Sequence, residues 1–214
     1  MRSGIAMIPC LLVVGCASTT RNPIQENLSG WSCHLEDPGA KQQDTWRIEA
    51  GVLKCTGNPK GYLYTTDSYT DFVLTLQWRW PDEKSAGKGG ILIDMTGDHK
   101  IWPKSLEAQI NANEAGDFWA LDGYEVAGSP ERTKSIDHKQ FGKLIHVGKT
   151  EAAENPAGQW NSYKIIAEGS TVTLIVNDRL VNKGTRPPAA GGRICITSEG
   201  TPICFKNIRI ARTD

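Results

Sequence analysis

The stretch IWPKSLEAQI, residues 101–110, holds one carboxylate, Glu107, and one amide, Gln109, in alternation with apolar Leu106, Ala108 and Ile110. Alternation of this kind is the period of a strand with one buried face, so Ser105, Glu107 and Gln109 share the opposite face. In GGILIDM, residues 89–95, the same rule turns Ile91, Ile93 and Met95 inward and Gly90, Leu92 and Asp94 outward. In DFVLTLQWRW, residues 71–80, it turns Thr75, Gln77 and Arg79 outward. With the three strands side by side, Arg79, Gln77, Asp94, Glu107 and Gln109 gather on one surface. Two carboxylates on adjacent strands among amides are equipped for general acid–base chemistry, or for holding a divalent ion. An ordinary wet sheet face is the plain alternative. Two features favour a cleft: Trp102, Phe118 and Trp119 flank these strands, and Gly89-Gly90 leaves open space in front of one of them. Rings beside carboxylates and amides suit a sugar, whose C–H faces stack on aromatics while its hydroxyls take hydrogen bonds.

Other residues extend this constellation. His138, in SIDHKQFG at residues 135–142, lies in a long polar segment and is a candidate base, or a third ligand to a divalent ion beside Asp94 and Glu107. Simple exposure beside Lys139 is the alternative. Lys104 and Arg79 are candidate electrophiles, and Trp102 and Trp119 candidate sugar platforms. His34, His99 and His146 rank lower, Asp117 reads as a turn cap, and Trp160 reads as core with Asn161 ordering a loop.

The elements that must position these residues are strands. Short runs of strand character recur at residues 51–55, 62–66, 90–95, 106–110, 160–167, 171–176, 193–197 and 203–210, with turn residues such as Asn177-Asp178 between several of them. That count and spacing predict an all-β fold, a two-sheet sandwich or barrel. Residues 113–156, rich in Gly, Asp, Glu, Lys and His, read as a long insertion, either a functional loop or mobile padding.

At the N-terminus, Met1-Arg2 followed by an apolar stretch from Ile5 to Val14 reads as an export signal too short to span a membrane. Its end, Val13-Val14-Gly15-Cys16, resembles a bacterial lipobox, so residues 1–16 read as a lipoprotein leader ending at Cys16, which would carry the lipid. Ala17 after the cysteine favours the outer membrane of a bacterial cell envelope. Residues 17–27 read as a polar tether, and 28–214 as a single domain. The chain has 24 Lys and Arg against 24 Asp and Glu, so no basic field exists to attract nucleic acid. Of six cysteines, Cys10 leaves with the leader and Cys16 is acylated. An even remainder in an exported chain points to two disulfides, Cys195–Cys204 across a turn at Glu199-Gly200, and Cys33–Cys55. A zinc site is the alternative, without a Cys-x-x-Cys spacing to support it.

Taken in order, LSGW (28–31), DFVLTLQWRW, GGILI, WPKSLEAQ, AGDFW (115–119), GQWN (158–161) and SEGTPICFKNIRI (198–210) resemble the 3-keto-disaccharide hydrolase domain family. The resemblance covers nearly all of the chain beyond the leader. It implies the jelly-roll sandwich of the concanavalin A-like lectin/glucanase type, and action on sugars oxidised at C3. It aligns the family's Glu-x-Gln strand with Glu107 and Gln109, its Trp-Pro with Trp102 and Pro103, and its Trp-Asn with Trp160 and Asn161. Three positions depart from the family pattern: Lys88-Gly89-Gly90 stands for Asn-Ser-Gly, Asp94 for a frequent basic residue, and Thr197 for Gln. The implied reaction removes the acidified C2 proton of a 3-keto-glycoside, expels the C1 substituent and adds water, with Glu107 the expected base. A conventional retaining glucanase does not fit, because no Glu-x-Asp-x-x-Glu strand is present. The expected partners are a small oxidised sugar and, through the lipid, a membrane. A non-catalytic glycan-binding lipoprotein is the alternative from another class.

Overall fold

The run at residues 71–80 forms a strand with unbroken alternation: Phe72, Leu74, Leu76 and Trp78 are buried, while Val73, Thr75, Gln77 and Arg79 are half-buried. The computed structural model describes residues 28–188 and 191–213. The leader, Cys16 and the tether expected at residues 1–27 lie outside the described residues.

The strands are β1 (Trp31–Leu35), β2 (Trp46–Glu49), β3 (Val52–Cys55), β4 (Gly61–Thr65), β5 (Phe72–Arg79), β6 (Gly90–Met95), β7 (Ser105–Gln109) and β8 (Phe118–Leu121). They continue with β9 (Thr133–His138), β10 (Gly142–Val147), β11 (Asn161–Glu168), β12 (Thr171–Val176), β13 (Arg179–Thr185), β14 (Arg193–Ser198) and β15 (Ile203–Arg212). A single helical turn, α1 (Gln42–Thr45), precedes β2. The strands form two antiparallel sheets, one of eight in the order β1-β4-β14-β6-β7-β8-β10-β9, the other of seven in the order β13-β12-β11-β5-β15-β3-β2. This is the all-β jelly-roll sandwich expected. Ile91, Ile93, Leu106, Ala108 and Ile110 from one sheet meet Leu74, Trp78, Ile165 and Phe205 from the other in a single core.

Four expectations are corrected. Gln77 and Arg79 do point outward, but β5 belongs to the seven-stranded sheet, so they lie on the opposite side of the sandwich from Glu107. Met95 turns outward rather than inward, joining Leu92 in a separate apolar cluster. The cause is Asp94, whose left-handed backbone (φ 54) accompanies a register shift between β14 and β6. The extra residue of a bulge reverses the alternation beyond it.

The two expected disulfides are absent, and Cys33, Cys55, Cys195 and Cys204 are free thiols. Consecutive strands joined at Glu199-Gly200 do not form a hairpin, because β14 and β15 run in different sheets. Cys195 therefore pairs across strands with Tyr64 and Leu92, and Cys204 with Lys54 and Arg79. Cys33 and Cys55 are likewise on opposite sheets. Burial pushes the Cys55 thiol up to about 11 and the Cys33 and Cys195 thiols upward as well.

The expected long loop contains β8, β9 and β10, which complete one edge of the eight-stranded sheet. Five of the six residues of β9 are exposed, so this strand has no buried face to impose a period.

Candidate functional site

Glu107 sits in the middle of the eight-stranded sheet on the face turned away from the core. Its neighbours across the ladder are Leu92 on one side and Trp119 on the other. His146 follows next to Trp119. One row across β6, β7, β8 and β10 therefore reads Leu92, Glu107, Trp119, His146. The parallel row reads Tyr62, Thr197, Gly90, Gln109, set by the pairing of Thr197 with Tyr62 and of Gly90 with Gln109.

Space for the Glu107 carboxyl comes from Gly90. A Cβ there would fall 2.3 Å from Glu107 Oε1, so the acid leans over the glycine toward β14. There Thr197 Oγ1 accepts from Gly90 N at 2.7 Å and donates to Glu199 Oε1 at 2.7 Å. Thr197, one of the departures from the family pattern, is thus the residue that ties Glu199 to this corner.

The electrostatics follow from this enclosure. Burial raises the Glu107 carboxyl well above its ordinary range, and the negative charges of Glu199 and Glu114 raise it further. Burial raises Glu199 too, opposed by the Thr197 hydroxyl and by the ammonium groups of Lys88 and Lys60. Two carboxyl groups held close in poor solvent cannot both ionise freely, so one gives up its proton less readily than an ordinary carboxyl. Such a pair can take a proton from substrate and return one.

Gln109 is oriented by Trp119, whose Nε1 donates to Gln109 Oε1 at 3.1 Å. That leaves the Gln109 amide hydrogens for an outside acceptor. Trp119 in turn stacks on His146 with ring centroids 4.4 Å apart. Asp117 fixes that histidine through a 2.8 Å contact to His146 Nε2, and it also accepts from the Lys149 amide. Although burial works against its charge, these two contacts hold the Asp117 carboxyl below its usual range. Asp117, expected as a turn cap, thus anchors an imidazole and a distant backbone amide instead.

Asp94 stands apart from Glu107. Its carboxylate accepts two bonds from Arg186 Nη1, at 2.6 and 2.8 Å, and one from Tyr124 at 2.5 Å. Arg186 also donates to the Thr70 carbonyl and to Asp71, so this buried pair ties the eight-stranded sheet to segments of the other. Lys104 lines a cavity of about 340 Å3 together with Asp94 and Tyr124. His138 lies at the exposed β9–β10 turn, stacked on Phe141 at 4.6 Å, its Nδ1 accepting from the Gln140 and Phe141 amides. Among the described residues no three His, Cys, Asp or Glu side chains are grouped to hold a metal ion. The expected set of Asp94, Glu107 and His138 is therefore not assembled.

Trp102 and Phe141 pack against the apolar cluster of Leu92, Leu121 and Leu144, and both line a cavity of about 530 Å3 over this face, with Lys60 and Glu36 at its rim. Glu107, Gln109 and Glu199 are not among the residues that line it. The volume is in the range that small-molecule sites occupy. Arg79 and Gln77, on the far side of the sandwich, take other partners: Arg79 lies over the Trp160 ring, and Gln77 accepts from Asn207. Trp160 is half-buried on that surface rather than in the core. Asn161 does order a loop, accepting from the Asn155 amide and from Asn177.

Sequence reasoning passed over Glu199 and Arg186 and ranked His146 low. The signal for Glu199 was its place two residues after Thr197, just past the end of β14, the strand paired to the Gly90 strand.

Comparison with known proteins agrees with the fold. The model of the 3-keto-alpha-glucoside-1,2-lyase-like domain matches residues 25–211. No curated protein matches. Among solved structures, a Parabacteroides distasonis protein bearing the name glycosyl hydrolase superposes with a TM-score of 0.61 at 18% identity, over 90% of this chain and 98% of that one. A carbohydrate-binding module from Bacillus subtilis gives 0.58 at 14%, over 88% and 99%. The Bacillus licheniformis beta-glucanase gives 0.58 at 10%, over 92% and 98%. At these identities the likeness establishes the fold, which carries catalysts and binding modules alike.

Proposed function

The chain belongs to the 3-keto-alpha-glucoside-1,2-lyase-like family, and from that membership we propose that it cleaves glycosides oxidised at C3, with Glu107 as the base. A ketone at C3 acidifies the C2 proton. Glu107 takes that proton, the C–H electrons form the C1–C2 double bond, and the C1–O bond breaks. The proton returns to the departing oxygen through the Glu107 and Glu199 pair, and addition of water across the double bond would complete net hydrolysis. The Gln109 amide hydrogens serve the ketone oxygen as negative charge develops there, with Lys88 and Lys60 supplying positive potential nearby. Trp119 and Trp102 offer apolar faces to the sugar.

The observation that carries this reading is the buried Glu107 carboxyl, held over Gly90 and facing a second acid, Glu199. A carboxyl that nothing needs to bury is costly to bury, so its enclosure among a threonine, an amide and a second acid supports a chemical role. Export, acylation at Cys16 and residence at the outer membrane belong to the same proposal, supported by the composition of residues 1–16.

The test is turnover of a 3-keto-glucoside followed by mass spectrometry of the products. The parent should release the aglycone, and Glu107→Gln should lose on the order of a hundredfold or more in kcat, the usual contribution of a positioned base. Undiminished turnover in Glu107→Gln would remove the assignment. Saturable sugar binding with no product from the parent would make this a binding module.

A further inference from the structure

We infer that the outer face of the seven-stranded sheet is a docking surface for an anionic lipid bilayer, on the side of the sandwich opposite Glu107. The strand ladders align two rows across this face. One runs Leu180, Ile175, Lys164, Thr75, Arg209, and the other Lys183, Thr173, Ile166, Val73, Ala211. An apolar strip thus crosses the sheet between cations. Leu180, within that strip, is 53% exposed, the most exposed large apolar side chain among the described residues. On the same face, just before β11, the half-buried Trp160 ring is covered by Lys206 Nζ at 4.1 Å and Arg79 Cζ at 4.9 Å.

The charge on this face is mostly positive. Lys164, Lys183, Lys206, Arg209 and Arg79 point outward from this sheet, against Glu168 at the end of β11 and Asp178 in the turn between β12 and β13. At the far edge Glu49 is occupied by Lys54 at 2.5 Å. The whole chain has equal numbers of acidic and basic residues, so this face carries an excess that other surfaces offset. Lys164 and Arg209 flank a shallow hollow of about 460 Å3 that Gln77, Ser162, Asn207 and Asp178 also line.

Both properties have to be met by one partner. A soluble polyanion would neutralise the cations but leave Leu180, Ile175, Ile166 and Val73 in water. A bilayer with anionic head groups meets both: phosphates neutralise Lys and Arg, whose long stems lie along the apolar strip, while the tryptophan sits at head-group level. Docked in this way, the sandwich presents its Glu107 face to the aqueous side. The inference does not depend on the reaction proposed above.

Sedimentation with vesicles tests it. The chain from residue 17 onward, without the apolar leader and without the acylated cysteine, would be mixed with vesicles of phosphatidylcholine alone or with added phosphatidylglycerol, at low and high salt. The expected result is binding to the anionic vesicles only, weakened by salt. Lys164→Glu with Arg209→Glu should lower the partition tenfold or more, given the usual contribution of each basic residue near an anionic surface. Leu180→Ser should lower it several-fold, and Lys134→Glu on the other sheet should leave it unchanged. Lys183→Glu, a single exposed change, gives a smaller loss and serves if thermal melts show the double variant to be unfolded. Equal sedimentation with both vesicle types, indifference to the charge reversals, or retention on an acidic polysaccharide without vesicle binding would each overturn the inference.

Discussion

Glu107 occupies the space that any side chain at Gly90 would need, since a Cβ on Gly90 would lie 2.3 Å from Glu107 Oε1 and 2.8 Å from its Cδ. The backbone at Gly90 is not left-handed, so alanine is conformationally acceptable there and only the contact matters. Because the obstructed group is the end of a side chain, it can turn away. The stability cost of Gly90→Ala should accordingly be about 1 kcal/mol, at the low end for overpacking. Activity should fall further, by about tenfold or more, because the carboxyl loses its position. Kinetics and a thermal melt on the same sample separate the two effects, and full activity in Gly90→Ala would disprove the placement of the base.

Replacing Glu107 itself should stabilise the protein at alkaline pH. Burial, Glu199 and Glu114 raise this carboxyl well above its ordinary value, so the folded chain keeps a proton that the unfolded chain has already lost. Stability is then greatest below the unfolded pKa of about 4.3 and declines as pH rises toward the folded pKa. A neutral amide at this position has no proton to lose and would show no such decline. Glu107→Gln should therefore melt a few degrees above the parent at pH 8, with the gap closing toward pH 4. Melting curves at the two pH values decide it, and a gap that does not change with pH would contradict the raised pKa.

The same charge coupling gives a kinetic prediction. After burial, the charge of Glu199 does most to raise Glu107, so Glu199→Gln removes a negative neighbour and lowers the pKa of the base. The acid limb of kcat/KM against pH should move to lower pH, while Thr197→Val, which removes only the hydroxyl that Glu199 accepts from, should move it less. A limb that stays in place would mean that the two acids titrate independently.

Much of this arrangement was legible in the residues alone. The alternation of Leu106, Ala108 and Ile110 with Ser105, Glu107 and Gln109 set the correct faces of β7, because a strand buried on one side has no freedom to slip by one residue. Alternation does not say which sheet a strand joins, and so Arg79 and Gln77 were grouped with Glu107 although they point the other way. Nor does it register a bulge: Asp94 looks like the next outward residue until its left-handed backbone reverses Met95. The cysteine pairing failed for a related reason, since Glu199-Gly200 turns the chain between sheets rather than within one. β9 escaped notice because its side chains face water and carry no pattern. Arg186 lay outside every strand pattern, and only the fold brings it to Asp94.

That last pair yields a prediction separating stability from chemistry. Arg186 is 2% and Asp94 4% exposed, and their 2.6 Å contact is reinforced by Tyr124 and the Thr70 carbonyl. A buried pair of this kind gains little over well-packed apolar residues, but removing one partner leaves a desolvated charge, at a cost of about 3–5 kcal/mol. Arg186→Met should lose about that much in denaturant unfolding. Asp94→Asn should lose less, because Arg186 keeps Asp71 and two backbone carbonyls. The double variant should be more stable than the sum of the single losses implies, since neither charge is then left alone. Measured well below its unfolding transition, Asp94→Asn should retain most of the turnover that Glu107→Gln abolishes. If Asp94→Asn instead loses activity as severely as Glu107→Gln while its melting temperature holds, Asp94 belongs to the reacting site and its bond to Arg186 is not the reason it is there.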